Sequence, residues 1–232
     1  MKPLAIVTGV GPGTGSSLAR KFAAEGYRVA MLARDAARLG ALAQELPDAV
    51  AVPVDVSDAP ALLAALEDLT TRFGPPKVVV HNAVGGAFGD FLAVDPAVLE
   101  QNFAINVLAL HHLARALVPQ MIAAGGGSLI VTGNTSALRG KAHFAGFAPT
   151  KAAQRILAEA IAREAGPKGV HVAYLVIDAV IDVPWARERF KDAPDDFFIA
   201  PDDIAAKVFH LAGQPKSAWS FLSEIRPFRE TW

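Results

Sequence analysis

A glycine-rich turn near the start of the chain joins a short apolar segment to a helical one. Residues 4–7 predict a buried strand, residues 8–15 read Thr-Gly-Val-Gly-Pro-Gly-Thr-Gly, and residues 16–25 predict a helix that stops at Gly26. Glycine lets the backbone turn sharply and approach a ligand closely, and the N–H groups at the beginning of a helix bind anions. A strand, turn and helix in this order therefore predict a pyrophosphate site. A nucleoside-triphosphate loop is excluded, because no Gly-Lys-Ser/Thr follows.

Apolar strands and helical segments alternate along the rest of the chain. The predicted strands are apolar throughout, which is typical of a parallel sheet covered on both faces. We therefore expect an α/β fold, a Rossmann-type doubly wound parallel sheet flanked by helices, as a single domain over residues 1–232. Further strands are predicted at residues 28–33, 50–54, 77–81, 128–132, 170–177 and 219–225. Further helices are predicted at residues 35–46, 59–73, 96–124 with a kink at Pro119, 149–165 and 201–212.

Composition excludes several kinds of site and partner. A formal net charge of -1, without a Lys/Arg block, argues against nucleic acid and anionic membranes as partners. The absence of cysteine excludes disulfides, thiolate metal sites and a cysteine nucleophile, and the six histidines form no zinc-binding His-Glu-x-x-His pair. No apolar run approaches the roughly 18 residues that span a membrane, and the start of the chain lacks a signal-peptide pattern. We expect a cytoplasmic protein without a metal.

The turn and four further motifs resemble those of the short-chain dehydrogenases/reductases. The turn matches the family pattern Thr-Gly-x-x-x-Gly-x-Gly, and Ile105-Asn106-Val107 matches the family's helix Asn. Asp55-Val56 and residues 167–172 are similar to the family's segments around strands three and six, and Asn82-Ala83 resembles its Asn-Ala-Gly motif. The resemblance implies an NAD(P)(H)-dependent oxidoreductase acting on a small carbonyl or alcohol. It assigns cofactor contacts to Thr8, Gly9, Gly13, Thr14, Gly15, Asp55, Val56, Asn82, Ala83 and Lys151.

The end of the second predicted strand bears on which dinucleotide binds. In family members that prefer NAD an acidic residue ends this strand, whereas this chain has Ala33 followed by Arg34. A guanidinium offers paired donors to phosphate oxygens and suits a 2′-phosphate. We therefore favour NADP(H) over NAD(H), against the alternative that Arg34 is simply solvated. Asp35 is expected to cap the following helix.

The family's catalytic residues are only partly present. Members use an Asn that anchors a water relay, a Ser that polarises the carbonyl, a Tyr that transfers the proton, and a Lys that lowers the phenol pKa and holds the nicotinamide ribose. Asn106 and Lys151 match this pattern. Phe147 stands four residues before Lys151, where the family has Tyr, and Asn134 stands thirteen residues before Phe147, where it has Ser. A subgroup of the family with Phe at this position has a segment similar to residues 132–140.

Neighbouring polar residues leave alternatives open. A phenyl ring donates no proton, whereas His143 offers a surrogate acid and Thr135 or Ser136 a hydroxyl. A loop histidine and turn hydrogen bonds are the plainer expectations for these three residues. Asp178 and Asp182 are expected to be solvated, although they lie where they could rim the nicotinamide.

Two functions are compatible with this pattern. The first is an oxidoreductase with an atypical proton donor, and neither Tyr27 nor Tyr174 is expected to replace the missing tyrosine. The second is a non-catalytic dinucleotide-binding protein with a sensor or interaction role. Residues 184–200 occupy the position of the family's substrate lid. The resemblance also implies a homodimer or homotetramer that associates through the helices at residues 96–124 and 149–165.

Overall fold

The structure, a computed structural model, describes residues 2–230 and is organised around one parallel sheet. Within this range, seven strands form the sheet in the order β3-β2-β1-β4-β5-β6-β9, and every neighbouring pair is parallel. Strands β7 and β8 pair separately. The strands are β1 (Leu4–Thr8), β2 (Arg28–Ala33), β3 (Val50–Pro53), β4 (Val78–His81), β5 (Gly127–Asn134), β6 (Val170–Ile177), β7 (Val180–Ile181), β8 (Phe198–Ile199) and β9 (Leu222–Ile225).

Helices cover both faces of the sheet. Alternate residues of β1 illustrate the division, since Leu4 and Ile6 belong to one hydrophobic cluster and Ala5 and Val7 to the other. The first cluster packs under α3, α5 and α6, and the second under α1, α2 and α8. The helices are α1 (Thr14–Ala24), α2 (Ala36–Glu45), α3 (Ala59–Phe73), α4 (Pro96–Phe103), α5 (Ala109–Ala123), α6 (Ala148–Ala165), α7 (Pro184–Arg189) and α8 (Pro201–Ala212).

The strand order reverses between β1 and β4, which lie side by side at the centre of the sheet. All seven strands run in the same direction, so their carboxyl ends share one edge. Open α/β sheets bind ligands at such a reversal, outside the carboxyl ends of the strands. Thr8, His81 and Asn134 end β1, β4 and β5 at this edge.

The predicted Rossmann-type fold is confirmed, and β2, β6, α3 and α8 have the predicted bounds. The helix predicted over residues 96–124 is helical from Pro96 to Ala123, but it is not a regular α-helix throughout. Residues Ala104–Leu108 form a π-helical turn between α4 and α5, while α5 continues through Pro119. The irregular turn contains Asn106, whose fully buried amide hydrogen-bonds to the Gly85 backbone and to Thr150. A π-turn of this kind is frequent at functional sites.

Residues 178–199 form a short substructure beyond the end of β6. Strand β7, helix α7, a 3₁₀ turn at Asp195–Phe197 and strand β8 follow one another there. The two-residue strands carry too little periodicity to be predicted from sequence. Phe198 is buried, and Phe190 and Phe197 pack with it in a chain of ring contacts, whereas Trp185 is 67% exposed.

Candidate active site

The glycine-rich turn leads from β1 into α1, and two of its glycines have no room for a side chain. Gly9 has a φ of 72°, and a Cβ there would lie 2.5 Å from Ala83 Cα, so only glycine fits. A Cβ on Gly15 would overlap the Gly9 carbonyl. Gly13 precedes α1 and supplies no side-chain cap, while Thr14 Oγ1 is buried without a partner among the described residues. Free donors at a helix N-terminus fit the pyrophosphate that the sequence predicted there.

Side-chain hydrogen bonds fasten the turn to the neighbouring strand ends. Thr8 Oγ1 accepts from Asn82 N–H at 3.2 Å and lies 3.0 Å from His81 Nδ1. Asn82 donates to the Gly9 carbonyl at 2.9 Å and accepts from the Thr132 hydroxyl at 2.9 Å. Burial and the neighbouring Lys151 ammonium lower the pKa of His81 to about 3, so its imidazole is neutral. This network holds the ends of β1, β4 and β5 at fixed distances.

Two charged side chains, Arg34 and Asp55, follow β2 and β3 at the same edge of the sheet as the turn. Asp55 Oδ1 accepts hydrogen bonds from the Ser57 N–H at 2.9 Å and the Ser57 hydroxyl at 2.7 Å. Burial acts to raise the pKa of Asp55, but these bonds and the Arg34 charge outweigh it and the pKa is lowered. Arg34 forms no hydrogen bond or ion pair with another described residue. Asp35 caps α2 through Arg38 N–H, as predicted, and Val56 is buried in the core.

A cavity of about 140 Å³ lies beside Thr14, where the turn enters α1. It brings together residues from the turn, from the ends of β4 and β5, from α6 and from the segment after β6. Four of the predicted site residues therefore share one space. Its lining consists of Thr14, Asn82, Val84, Thr132, Gly133, Asn134, Lys151, Ile177, Ala179 and Ile181.

Lys151 lies against the wall of this cavity with its side chain almost entirely buried. Its Nζ donates to the Thr132 carbonyl at 3.2 Å and to Gln154 Oε1 at 2.5 Å. Burial lowers its pKa to about 7, and no carboxylate of the described residues offsets that effect. Near neutral pH this amine can therefore gain or lose a proton.

Gln154 and Tyr174 complete the surroundings of Lys151, and neither was predicted as a site residue from the sequence. Gln154 Nε2 donates to the Asn106 carbonyl at 2.8 Å, and the Tyr174 hydroxyl donates to Gln154 Oε1 at 3.2 Å. The Tyr174 ring packs directly on Gly133, where any side chain would overlap it. The sequence signal for both residues is a polar group in a buried setting. Gln154 stands three residues after Lys151 on the same helix face, and Tyr174 interrupts an apolar strand.

Asn134 stands at the end of β5 with one side of its amide engaged. Its Oδ1 accepts from the Ser136 N–H at 3.0 Å, and its Nδ2 has no partner among the described residues. An amide in this state has donors available for a carbonyl oxygen. Thr135 and Ser136 form the 3₁₀ turn that follows, and no side-chain hydrogen bond of theirs reaches the cavity within residues 2–230.

Phe147 lies outside the cavity lining. Its ring is 5% exposed and packs 5.2 Å from the Phe88 ring centroid, with Gly86 on another side. His143, in the left-handed region with a φ of 67°, lines a separate open cleft of about 650 Å³ between residues 136–145 and the first turns of α6. That larger cleft contains neither Lys151 nor Asn134, so the smaller cavity is the candidate active site.

The segment after β6 contacts both the glycine-rich turn and the cavity. Val183 packs against Gly13, and Ile181 lines the cavity beside Lys151. Asp182 was expected to be solvated and its side chain remains 36% exposed, while it also forms two hydrogen bonds of 2.7 Å with Arg187. The same expectation was wrong for Asp178, which is buried just after β6 near Arg226. Neither carboxylate lines the cavity.

Residues 2–230 contain neither a candidate metal cluster nor a candidate membrane-spanning helix. No group of three or more His, Asp or Glu side chains there has the arrangement to hold a metal ion. In the same residues, no helix has the length and apolar character needed to cross a membrane.

Comparisons with known proteins identify the family of this chain. The family model of the short chain dehydrogenases matches residues 3–193. A galactitol 2-dehydrogenase (L-tagatose-forming) of Cereibacter sphaeroides is 32% identical over 92% of this chain and 89% of its own length. A D-erythrulose reductase of Gallus gallus is 32% identical over 95% of this chain and 92% of its own.

Solved structures give the same answer. A metagenomic short-chain oxidoreductase in complex with NADP has a TM-score of 0.85 and 30% identity, covering 97% of both chains. A 3-ketoacyl-(acyl-carrier-protein) reductase of Brucella melitensis, complexed with NADH, has a TM-score of 0.88 and 25% identity, covering 99% of this chain and 98% of that one. This chain therefore belongs to the short-chain dehydrogenase family of oxidoreductases.

Proposed function

We propose that this protein is an NADP(H)-linked oxidoreductase that interconverts a carbonyl and an alcohol without the family's tyrosine. The observation that carries the proposal is the shared cavity, in which Thr14, Asn82, Asn134 and Lys151 meet at the end of the glycine turn. When bound, the dinucleotide supplies or accepts the hydride. The protein's own groups hold the reactants and manage the proton.

The residues present fit the cofactor in three places. The unpartnered Thr14 hydroxyl and the N–H groups that begin α1 would hold the pyrophosphate, together with Thr8, Gly9, Gly13 and Gly15. As the resemblance implies, the adenosine half of the cofactor would contact Asp55 and Val56. The cofactor would also contact Asn82 and Ala83, which follow β4. As the resemblance implies, Lys151 would lie beside the nicotinamide ribose, and Asn106 would support this end of the site through its place in the π-helical turn.

Arg34 supports NADP(H) as the preferred form. Its guanidinium follows β2 and makes no hydrogen bond or ion pair with a described residue, so its donors are available to a 2′-phosphate. Asn134 supports a carbonyl substrate, because its free Nδ2 would donate to the carbonyl oxygen from the cavity wall.

The first experiment measures binding separately from turnover. Calorimetric titration should give tighter binding of NADPH than of NADH, and Arg34→Ala should weaken NADPH by about ten- to hundredfold while leaving NADH within about twofold. Arg72→Ala, which removes an exposed arginine on α3, is the matched control. Equal loss for both dinucleotides would contradict the NADP(H) assignment.

The second experiment follows NADPH oxidation against a broad carbonyl panel. Turnover of any member supports the oxidoreductase proposal. Tight NADPH binding with no turnover on the whole panel would favour the non-catalytic alternative. We also propose a homodimer or homotetramer that associates through the helices at residues 96–124 and 149–165, on which the apolar side chains of Leu108 and Ile156 are exposed. Sedimentation equilibrium tests this proposal.

A further inference from the structure

The cavity lacks a tyrosine, and the groups around Lys151 point to another source of the proton. An ammonium has three N–H donors. Two of those on Lys151 are engaged by the Thr132 carbonyl and by Gln154 Oε1. The third has no partner among the described residues, and Lys151 lines the cavity together with Asn134.

Gln154 fixes the direction of this third donor. Its Oε1 accepts from both Lys151 Nζ and the Tyr174 hydroxyl, and its Nε2 donates to the Asn106 carbonyl. All three partners are buried, so the amide is locked at both ends. The resemblance assigns a water relay to this region, anchored at the helix Asn. Here the Gln154 amide itself bridges Lys151 and Asn106, which closes the rear of the site.

We propose that Lys151 donates the proton to the substrate oxygen directly, and that Gln154, held by Tyr174, is the positioning residue that aims it. This inference rests on the proposed function, because the hydride must come from the reduced dinucleotide. The carbonyl carbon gains that hydride with its electron pair, and the π pair of the C=O bond moves to oxygen. The Lys151 N–H bond breaks, its pair stays on nitrogen, and the proton bonds to oxygen. The products are an alcohol, the oxidised dinucleotide and a neutral amine that water reprotonates.

The surroundings of Lys151 are consistent with an amine that titrates near neutral pH. The titratable groups that face it are His81 on β4 and Tyr174 on β6, with Arg155 one turn farther along α6. His81 is neutral, and burial raises the pKa of the Tyr174 hydroxyl above its usual value, so both are uncharged. The carboxylate at the end of β6, Asp178, lies near Arg226 instead.

The test changes Gln154 in two directions. Gln154→Glu keeps the shape but places a carboxylate against Lys151 Nζ, which should raise the Lys151 pKa by a unit or more. Gln154→Met removes the acceptor and should lower it. Gln44→Glu, at an exposed position on α2, is the matched control and should leave it unchanged.

Two readouts are needed. The first, independent of activity, is the titration of the Lys151 side chain in the unliganded protein, followed by ¹³C NMR of labelled lysine and assigned with Lys151→Met. The second is the pH profile of reductive kcat for a carbonyl that turns over. Since the ammonium is the donor, the rate should fall as pH rises through the Lys151 pKa, and the midpoint should move up in Gln154→Glu and down in Gln154→Met.

Each outcome decides something. Parallel movement of the NMR and rate midpoints supports the inference. An NMR shift with an unmoved rate midpoint would overturn Lys151 as the donor and leave the proposed function standing. An NMR midpoint that stays unmoved in both Gln154 variants would overturn the role of Gln154. Absence of NADPH binding would overturn the proposed function and, with it, this inference. If Gln154→Glu does not fold, Gln154→Met provides the same comparison with the opposite sign.

Discussion

The site has a turn end, around the glycine-rich turn, and a Lys151 end, and different parts of the chain form them. At the turn end, backbone atoms form the site, and glycines at positions 9 and 15 are required by a positive φ and by a close contact. At the Lys151 end, side chains form it, through the hydrogen bonds of Lys151, Gln154 and Tyr174. The turn end keeps the family's pattern, while the Lys151 end departs from it at two positions. A backbone cradle admits few substitutions, whereas a side-chain network can be rebuilt around a different donor.

The largest expected effect tests whether the Lys151 end holds a desolvated amine. Because the folded pKa of about 7 lies below the ordinary lysine value of 10.5, the unfolded chain binds more protons between these two pH values. Wild-type stability should therefore rise with pH across that window, relative to Lys151→Met, by about 1.4 kcal/mol per pH unit. It should be level below pH 7, where both states carry the proton. Urea unfolding at pH 6, 8 and 9.5 measures the difference.

A control variant separates burial from the loss of any amine. Lys168 is exposed, so the stability difference between wild type and Lys168→Met should not follow this window. A Lys151→Met difference that stays level from pH 6 to 9.5 would contradict a desolvated ammonium.

The next effect tests whether the turn end depends on backbone shape alone. Gly15→Ala places a Cβ against the Gly9 carbonyl and should displace the turn, weakening NADPH by about 100-fold. Gly11→Ala lies in the same turn, but a Cβ there meets nothing within 4 Å, so affinity should change by less than about twofold. Calorimetry with both variants gives the comparison. Equal losses would show that the turn tolerates no side chain anywhere, rather than being shaped at particular positions.

The smallest effect concerns the segment that touches both ends of the site. Arg187 holds this segment together through Asp182, Asp195 and the Phe198 ring. Arg187→Ala should reduce hydrogen-exchange protection of the Asp182 N–H, which donates to the Ile199 carbonyl, by about fivefold. Arg189→Ala, on the same helix, is the control. Unchanged protection in Arg187→Ala would mean that the β7–β8 pairing alone keeps the segment in place.

Most of the fold could be predicted from the sequence because its signals are local. The apolar run of β6 marks the bounds of that strand, and prolines and glycines mark the ends of α3 and α8. These signals need no reference to other segments. The π-helical turn could not be predicted, since it follows from the bonds of Asn106 to Gly85, twenty-one residues away. The same holds for Asp182, whose partner Arg187 becomes a neighbour only when α7 folds back.

By itself, the sequence determined the strand–turn–helix, the parallel sheet and the absence of a tyrosine four residues before Lys151. It did so because glycine geometry, apolar periodicity and residue identity are properties of short segments. Only the tertiary structure decided what surrounds Lys151. The groups that hold its amine come from β5 and from the next turn of α6, and Tyr174 reaches them from β6. The protonation of a buried amine depends on desolvation and on the hydrogen-bond partners that packing brings to it. Neither can be predicted from a single segment of the sequence, because both require several segments to pack together.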